Sequence, residues 1–474
     1  MNKNEIVTIK ITDFSNEGDG IGHVDGYALF VKGAVPGDYI EARVLKVKKN
    51  FGFAKVEKII EPSEERINPV CPVSGKCGGC KFNHINYNAE LKWKEDRVLN
   101  CLTRIGGFSV CKSDSSSHDF EKSEKDLNIG EKDLTVGKMD LNTCEKDLNI
   151  GEKDLTVSEN NSENNDNNII FYDIVGSPAQ THYRNKSQFP VGVDKEGNII
   201  TGFYAGRTHS IIPIDSCDCQ DEVTGEINKT VVTFMKENNI SPYDEKNHSG
   251  VVRHIMTRVG FSTCEIMVCL IINAKKLNKS DKLVERLLGI DFGEKRITSV
   301  CININTEKGN VILGRKTETL YGKSYITDKI GDVSYKISPV SFFQINPVQT
   351  RNLYDAVVEF ADFKGNETAY DLYCGTGSIS LYISKYVKKV VGVEIVPQAI
   401  EDAKENAVIN GIENAEFYAG AAEVKVPELY EEGHKKADVV IVDPPRKGCD
   451  SVLLDTIIKM EPGKIVYVSC DPAT

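Results

Sequence analysis

The sequence predicts an α/β protein preceded by β-rich segments, and three observations carry that reading. After Phe342, short apolar strands alternate with amphipathic helices, the rhythm of a parallel sheet with crossover helices. Residues 1–62 and the stretch from Ile169 to Ile337 instead run in short alternating segments closed by glycine and proline turns, as antiparallel β structure does. The chain has 474 residues, room for about three domains with ample core. No apolar run nears the roughly 20 residues of a membrane span. The N-terminal MNKNEIVTIKITDF has no apolar signal core, so a cytoplasmic chain is expected. In that compartment fourteen cysteines point to metal ligation or reactive thiols before disulfides.

Residues 1–62 contain the β-like runs IVTIKIT, YALFVKG, DYIEARVLKVKK and FGFAKVEKII, separated by Gly-Asp-Gly and Pro-Gly-Asp turns, which predicts a small β-barrel. Arg43, Lys46, Lys48, Lys49, Lys55 and Lys58 crowd its second half, with Phe51 and Phe53 interleaved. Cations for phosphates and aromatic faces for bases suit single-stranded RNA, although lysines also keep an edge strand soluble.

Residues 63–111 hold Cys71, Cys77 and Cys80 within CPVSGKCGGC, three thiols on glycine-rich turns. Zinc and an iron–sulfur cubane both take four thiolates, and the asymmetric spacing favours the cluster. A fourth ligand must come from elsewhere, and SCDC offers Cys217 and Cys219.

Residues 112–168 carry a seven-residue repeat (EKDLNIG, EKDLTVG) without the apolar seam of a coiled coil, and predict a disordered acidic insertion. Seven lysines against fifteen acids give it a net charge of −8, out of −12 for the chain. The remainder is near neutral and compatible with an anionic partner. Residues 169–337 read as a central β-rich domain and 338–474 as the α/β domain.

Five strands are expected in that last domain: TAYDLYC, VVGVEI, AEFYAG, DVVIVDP and KIVYVSC. Such sheets work at the carboxyl ends of their strands. There, Asp371 leads into Gly375-Thr-Gly377, a tight turn that lets a ligand lie against the backbone. Ser380 replaces the third small residue of a dinucleotide fingerprint. Glu394, twenty-three residues after Asp371, ends the second strand where a carboxylate can accept both hydroxyls of a ribose. Ribose acid and glycine turn together suit S-adenosylmethionine. Asp443-Pro-Pro445 makes a rigid edge beside it, and Arg446 stands where amine methyltransferases place a stacking aromatic.

Cys470 closes the fifth strand, facing the expected methyl donor. Uracil C5 is a poor nucleophile until a thiolate adds at C6 and pushes electron density to C5. A base must then remove the C5 proton so that the thiol can leave, and the pyrimidine must be extruded from its stack.

YRNKSQFPVG, NVILG with a following LYG, SFFQIN, DLYCGTG, VVGVEIVPQAIEDAKENA, DPPRKG and VSCDPAT, with the clustered cysteines, give the chain its resemblance. It resembles the RNA uracil-5-methyltransferases, most closely the branch acting on 23S ribosomal RNA that carries a TRAM domain and a 4Fe–4S cluster. The resemblance implies a Rossmann-like class I S-adenosylmethionine-dependent domain, an OB-like TRAM barrel, and a monomer acting on 23S RNA with a flipped-out uridine and no membrane partner. It implies Cys470 as nucleophile and Gln344, Tyr373, Gly375, Glu394 and Asp443 against S-adenosylmethionine or the base. Cys71, Cys77, Cys80 and Cys217 would hold the cluster. Arg43, Lys46, Lys48, Lys49, Phe51, Phe53, Arg184 and Lys186 would meet RNA. The family runs on through two more strands and a glutamate base, so a fragment that turns over poorly or traps RNA covalently is expected. A tRNA methyltransferase and an RNA binder without turnover are the alternatives.

Overall fold

The computed structural model describes residues 1–112, 168–206, 208–433 and 437–473; the repeat between them lies outside the described residues. Two compact units emerge, Met1–Val98 with Val175–Thr474, and Leu99–Ile174.

Five strands, β1 (Ile6–Phe14), β2 (Gly20–Val24), β3 (Tyr27–Lys32), β4 (Tyr39–Val47) and β5 (Phe51–Glu61), close into a barrel in the order β1-β2-β3-β5-β4. Alternation explains it: Ile9, Ile11, Leu29, Val31, Ile40, Ala42 and Val44 point inward while their neighbours meet solvent. Closure removes the sheet edges that would otherwise pair with other chains. Helix α1 (Tyr87–Asn100) is tied to the barrel through Trp93, which donates to the Ser15 carbonyl at 3.2 Å and packs on Phe82 at 4.7 Å. The smaller unit holds a π-helical turn, Cys101–Ile105, and a parallel pair, β6 (Ser109–Lys112) with β7 (Asn168–Phe171).

The central segment is a seven-stranded sheet with two helices. Its strands are β8 (Lys186–Val193), β9 (Ile199–Tyr204), β10 (Ile211–Pro213), β11 (Val252–Val259), β12 (Glu265–Ile272), β13 (Arg296–Ile304) and β14 (Lys316–Gly322), ordered β10-β9-β8-β11-β12-β13-β14. Helices α2 (Val223–Glu237) and α3 (Ser280–Leu288) cover one face through Ile227, Val231, Phe234, Leu283 and Leu287. The sequence reading here saw only strands. The β-branched run of α2 (Val231, Val232, Thr233) looks strand-like, and packing overrides that propensity. The opposite face presents Met256, Met267, Cys269 and Cys301 to a second core shared with the C-terminal segment.

A hairpin, β15 (Ile326–Ile330) and β16 (Val333–Ile337), leads through an irregular loop into α4 (Pro347–Ala361). Asn346 caps that helix, accepting from the Gln349 amide at 3.2 Å, and Pro347 occupies the first turn, where its missing N–H costs nothing. All five strands expected of the α/β segment are present: β17 (Thr368–Leu372), β18 (Lys389–Glu394), β19 (Ala415–Ala419), β20 (Val439–Val442) and β21 (Lys464–Tyr467). They run parallel in the order β19-β18-β17-β20-β21, crossed by α5 (Ser378–Ile383), α6 (Pro397–Ile409), α7 (Ala422–Glu431) and α8 (Ser451–Met460). The fifth strand is shorter than the sequence suggests. It stops at Tyr467, so Cys470 stands on the loop beyond it.

Candidate active site

The strand order reverses at β17, with β18 on one side and β20 on the other, and open α/β sheets bind ligands at such a switch. The turn after β17 is built from left-handed residues: φ is +66° at Tyr373, +56° at Gly375 and +75° at Gly377. A Cβ at Gly375 would meet nothing within 4 Å, so the space over the turn is open. At Gly377 it would press the Phe417 ring at 3.0 Å. Glu394 faces this turn and is anchored twice, accepting from the Gly375 amide at 3.2 Å and the Val396 amide at 2.9 Å. Each carboxylate oxygen keeps a further lone pair, enough for a vicinal diol.

Asp371 is fully buried within β17, where Ser380 donates to its Oδ2 at 2.5 Å while Oδ1 is buried without a partner. Burial, with Asp443 and Glu394 adding like charge, pushes its carboxyl up to about 7. Burial also lifts Asp443 to about 6. Asp443 follows β20 directly and donates its amide to the Leu372 carbonyl at 3.3 Å, which sets it at the same sheet edge. A cluster of carboxyls too crowded to ionise freely is a ready host for a cationic ligand. Sequence reasoning used Asp371 only as a strand end; the signal was an acid inside the apolar strand TAYDL.

Cys470 lies three residues past β21, next to β20, with its side chain exposed. Its loop is held by Ser469, whose hydroxyl donates to the Asp471 carbonyl at 2.8 Å, and by Arg97 of α1, whose Nη2 reaches Asp471 Oδ1 at 3.1 Å. Gln344 is half-buried on the loop between β16 and α4, where Asn185 donates to its carbonyl at 2.8 Å. Sequence reasoning assigned no role to Arg97, and placed Asn185 only as a letter of the motif YRNKSQFPVG.

The predicted thiols gather although 139 residues separate Cys80 from Cys219, whose sulfurs stand 3.4 Å apart. Cys77 senses Cys217 and Cys71, and Cys80 senses Cys217 and Cys77, so all five thiols share one neighbourhood. The sulfur at 3.4 Å from Cys80 belongs to Cys219, the residue the sequence treats as spare, with Cys217 in the same neighbourhood. Among the described residues no group of three or more such side chains takes the arrangement of a metal-ion site. Thiols are the donors that zinc and an iron–sulfur cubane both take.

Of the expected RNA residues, Arg43 is engaged by Glu57 at 2.9 Å and 3.0 Å. Lys46, Lys48 and Lys49 are exposed and make no ion pair among the described residues. Phe51 and Phe53 pack edge-on at 5.6 Å beside Phe30. Lys186 is half-buried, and burial with Arg258 and Arg184 nearby pushes its ammonium down to about 7.

A family described as tRNA (Uracil-5-)-methyltransferase matches residues 168–474, and the TRAM domain matches residues 2–56. An uncharacterized RNA methyltransferase of Halalkalibacterium halodurans is 40% identical over 474 residues, covering all of this chain and 90% of the relative. One from Clostridium tetani is 40% identical over 472 residues, covering all of this chain and 89% of its own. Among solved structures, Pyrococcus abyssi tRNA (uracil-54, C5)-methyltransferase in complex with S-adenosyl-L-homocysteine superposes with a TM-score of 0.67 at 26% identity, over 98% of this chain and 90% of that one. No helix among the described residues is long and apolar enough to cross a membrane. With a family match over well more than half its length, laid on a glycine turn, a glutamate bonded to that turn and a thiol at one sheet edge, the chain belongs to the tRNA (uracil-5-)-methyltransferase family: it is an RNA uracil-5-methyltransferase with a TRAM domain at its N-terminus.

Proposed function

We propose that the chain methylates C5 of a uridine in 23S ribosomal RNA, with S-adenosylmethionine as the donor and Cys470 as the nucleophile. One observation carries the reading: an exposed thiol stands off the end of β21, at the sheet edge that also holds the glycine turn, Glu394 and Asp443. The sulfur of Cys470 adds to C6 of the extruded uracil, and the C5–C6 π electrons move to C5. C5 then forms a bond to the sulfonium methyl as the donor's sulfur keeps the electron pair. Loss of the C5 proton to a base restores the double bond and expels the thiolate. Glu394 holds the donor's ribose, Tyr373 and Gly375 seat it on the turn, and Gln344 faces donor or base from the neighbouring loop. Asp443 and Asp371 supply negative potential for a sulfonium.

Lys46, Lys48, Lys49, Phe51 and Phe53 of the barrel, with Arg184 and Lys186, take the RNA backbone and bases around the target. Arg43 joins them when it exchanges Glu57 for phosphate. Cys71, Cys77, Cys80 and one of Cys217 or Cys219 would hold a 4Fe–4S cluster, which would pin the cysteine loop to the segment between β10 and α2. An RNA substrate supports action in the cytoplasm. The clustered thiols and the barrel favour ribosomal RNA. A tRNA target is the second reading, favoured by the matched family's description and by the Pyrococcus abyssi likeness.

Tritium release from C5-labelled uridine tests the proposal. Release from 23S transcripts but not tRNA, lost in Cys470→Ser, is expected. Release from tRNA alone selects the second reading, and release that survives Cys470→Ser refutes the covalent route. Iron and acid-labile sulfide in the anaerobically purified protein test the cluster; zinc alone would exclude it.

A further inference from the structure

Arg258 of β11 is among the largest side chains with almost no solvent contact, 2% exposed, and the groups beside its guanidinium are the buried thiols Cys269 and Cys301 instead of a carboxylate. Burying a guanidinium without an acid is costly, and an apolar side chain of similar volume is often the more stable choice. What the arginine offers instead is a rigid fork of donors. Its Nη2 donates to the carbonyls of Ser341 and, at 3.4 Å, Pro339. At the start of β8, Asn185 (4% exposed) extends the grip: its Nδ2 donates to the Gln344 carbonyl at 2.8 Å and its amide to the Ile345 carbonyl at 2.9 Å. The central sheet thus holds four carbonyls of a single loop.

The same loop is tied on its other flank. Ser341 donates to Asp402 of α6 at 3.0 Å, eight residues beyond Glu394, and lies 2.7 Å from the Ser338 hydroxyl. Phe343 is buried against Tyr335, while Phe342 stays 68% exposed. A segment fixed to the central sheet on one side and to the helix following the ribose-facing acid on the other has a set position relative to both.

We propose that Arg258 and Asn185 are positioning residues for methyl transfer, which lock the Ser338–Ile345 loop so that Gln344 is presented in register with the donor and the extruded base. The proposal rests on the uridine-methylation reading. Neither residue touches a reacting atom; both act through the loop backbone.

Arg258→Met and Asn185→Leu test it. An RNA carrying 5-fluorouridine at the target, with S-adenosylmethionine, traps the thiol adduct because fluorine cannot leave as the proton does. The single-turnover rate of adduct formation should fall about 100-fold, the scale of an ångström-sized misplacement. RNA affinity, set mainly by phosphate contacts, should stay within about twofold. Amide exchange should speed up selectively over residues 338–346, and Arg258→Lys should recover part of the rate. Should Arg258→Met fail to fold, Asn185→Leu decides alone. A folded variant with wild-type adduct rate and wild-type loop exchange overturns the proposal. If the wild-type chain itself forms no adduct with 23S or tRNA substrates, the uridine reading falls. Loop exchange then decides on the clamp, with unchanged protection in both variants counting against it.

Discussion

Asp371→Asn should stabilise the protein, and the size of the effect follows from the burial of the carboxyl. Asp371 has no solvent exposure, Ser380 donates to one oxygen, and the other is buried without a partner. Its carboxyl is pushed from 3.8 up to about 7. At about 1.4 kcal/mol per tenfold, that corresponds to about 4 kcal/mol between the two ends of the titration, an order-of-magnitude figure. The sign is fixed by linkage. The native state keeps a proton that the unfolded chain releases near 3.8, so this stabilisation is complete below that pH and is lost as the pH rises through about 7. Asparagine cannot ionise and carries no such loss. The measurement is thermal unfolding of both proteins at pH 5 and pH 8. Wild type should lose more on going to pH 8 than the variant does, and at pH 8 the variant should melt roughly 5 °C higher. Asp443 and Asp328 titrate in the same range, so the quantity that decides is the difference between the two proteins. An equal pH dependence, or a variant that melts lower at pH 8, would refute the buried-proton argument.

Three further outcomes follow from the site. S-adenosylmethionine should gain on S-adenosylhomocysteine by about tenfold between pH 5 and pH 7.5, because ionising Asp443 and Asp371 favours the sulfonium over the thioether; calorimetry with both ligands checks it, and a constant ratio counts against the carboxyl cluster. Target RNA affinity should weaken several-fold from pH 6 to pH 8 as Lys186, held down to about 7 by burial and two arginines, loses its charge; Lys186→Arg should abolish that pH dependence in a binding titration. Arg97→Met should leave the melting temperature almost unchanged, since a partly exposed ion pair contributes at most about 1 kcal/mol. Adduct formation should still fall about tenfold, because the guanidinium holds Asp471 beside Cys470.

What the sequence made legible is what depends on local pattern. The strands β18 and β20 are near-continuous apolar runs, as buried parallel strands must be. The turn at Gly375 and Gly377 needs left-handed backbone, which only glycine supplies without strain, so its composition announces it. Strand β2, with glycine at positions 20 and 22, was invisible because nothing in GIGHV advertises a pleat; Gly22 is there because a Cβ would strike the Lys10 carbonyl at 2.5 Å. The ambiguity between Cys217 and Cys219 has the same origin in reverse. Two thiols two residues apart look equivalent in one dimension, and only the turn that bonds the Gln220 amide to the Cys217 carbonyl and the Arg184 amide to the Cys219 carbonyl separates them. Arg258 was beyond any local reading, and so was the role of Asn185, although the motif YRNKSQFPVG contains it. Their partners are the carbonyls of residues 81 to 160 positions away, and a carbonyl has the same sequence signature whatever side chain carries it. A motif search finds the groups that face a ligand. The groups that hold those in place act on backbone, and they become visible only when register brings Arg258 opposite Lys186 and the loop beneath both. A family motif such as SFFQIN is therefore an incomplete description of its own function: its geometry is set by an arginine and an asparagine from another sheet, and a change at either should silence the motif without altering a letter of it.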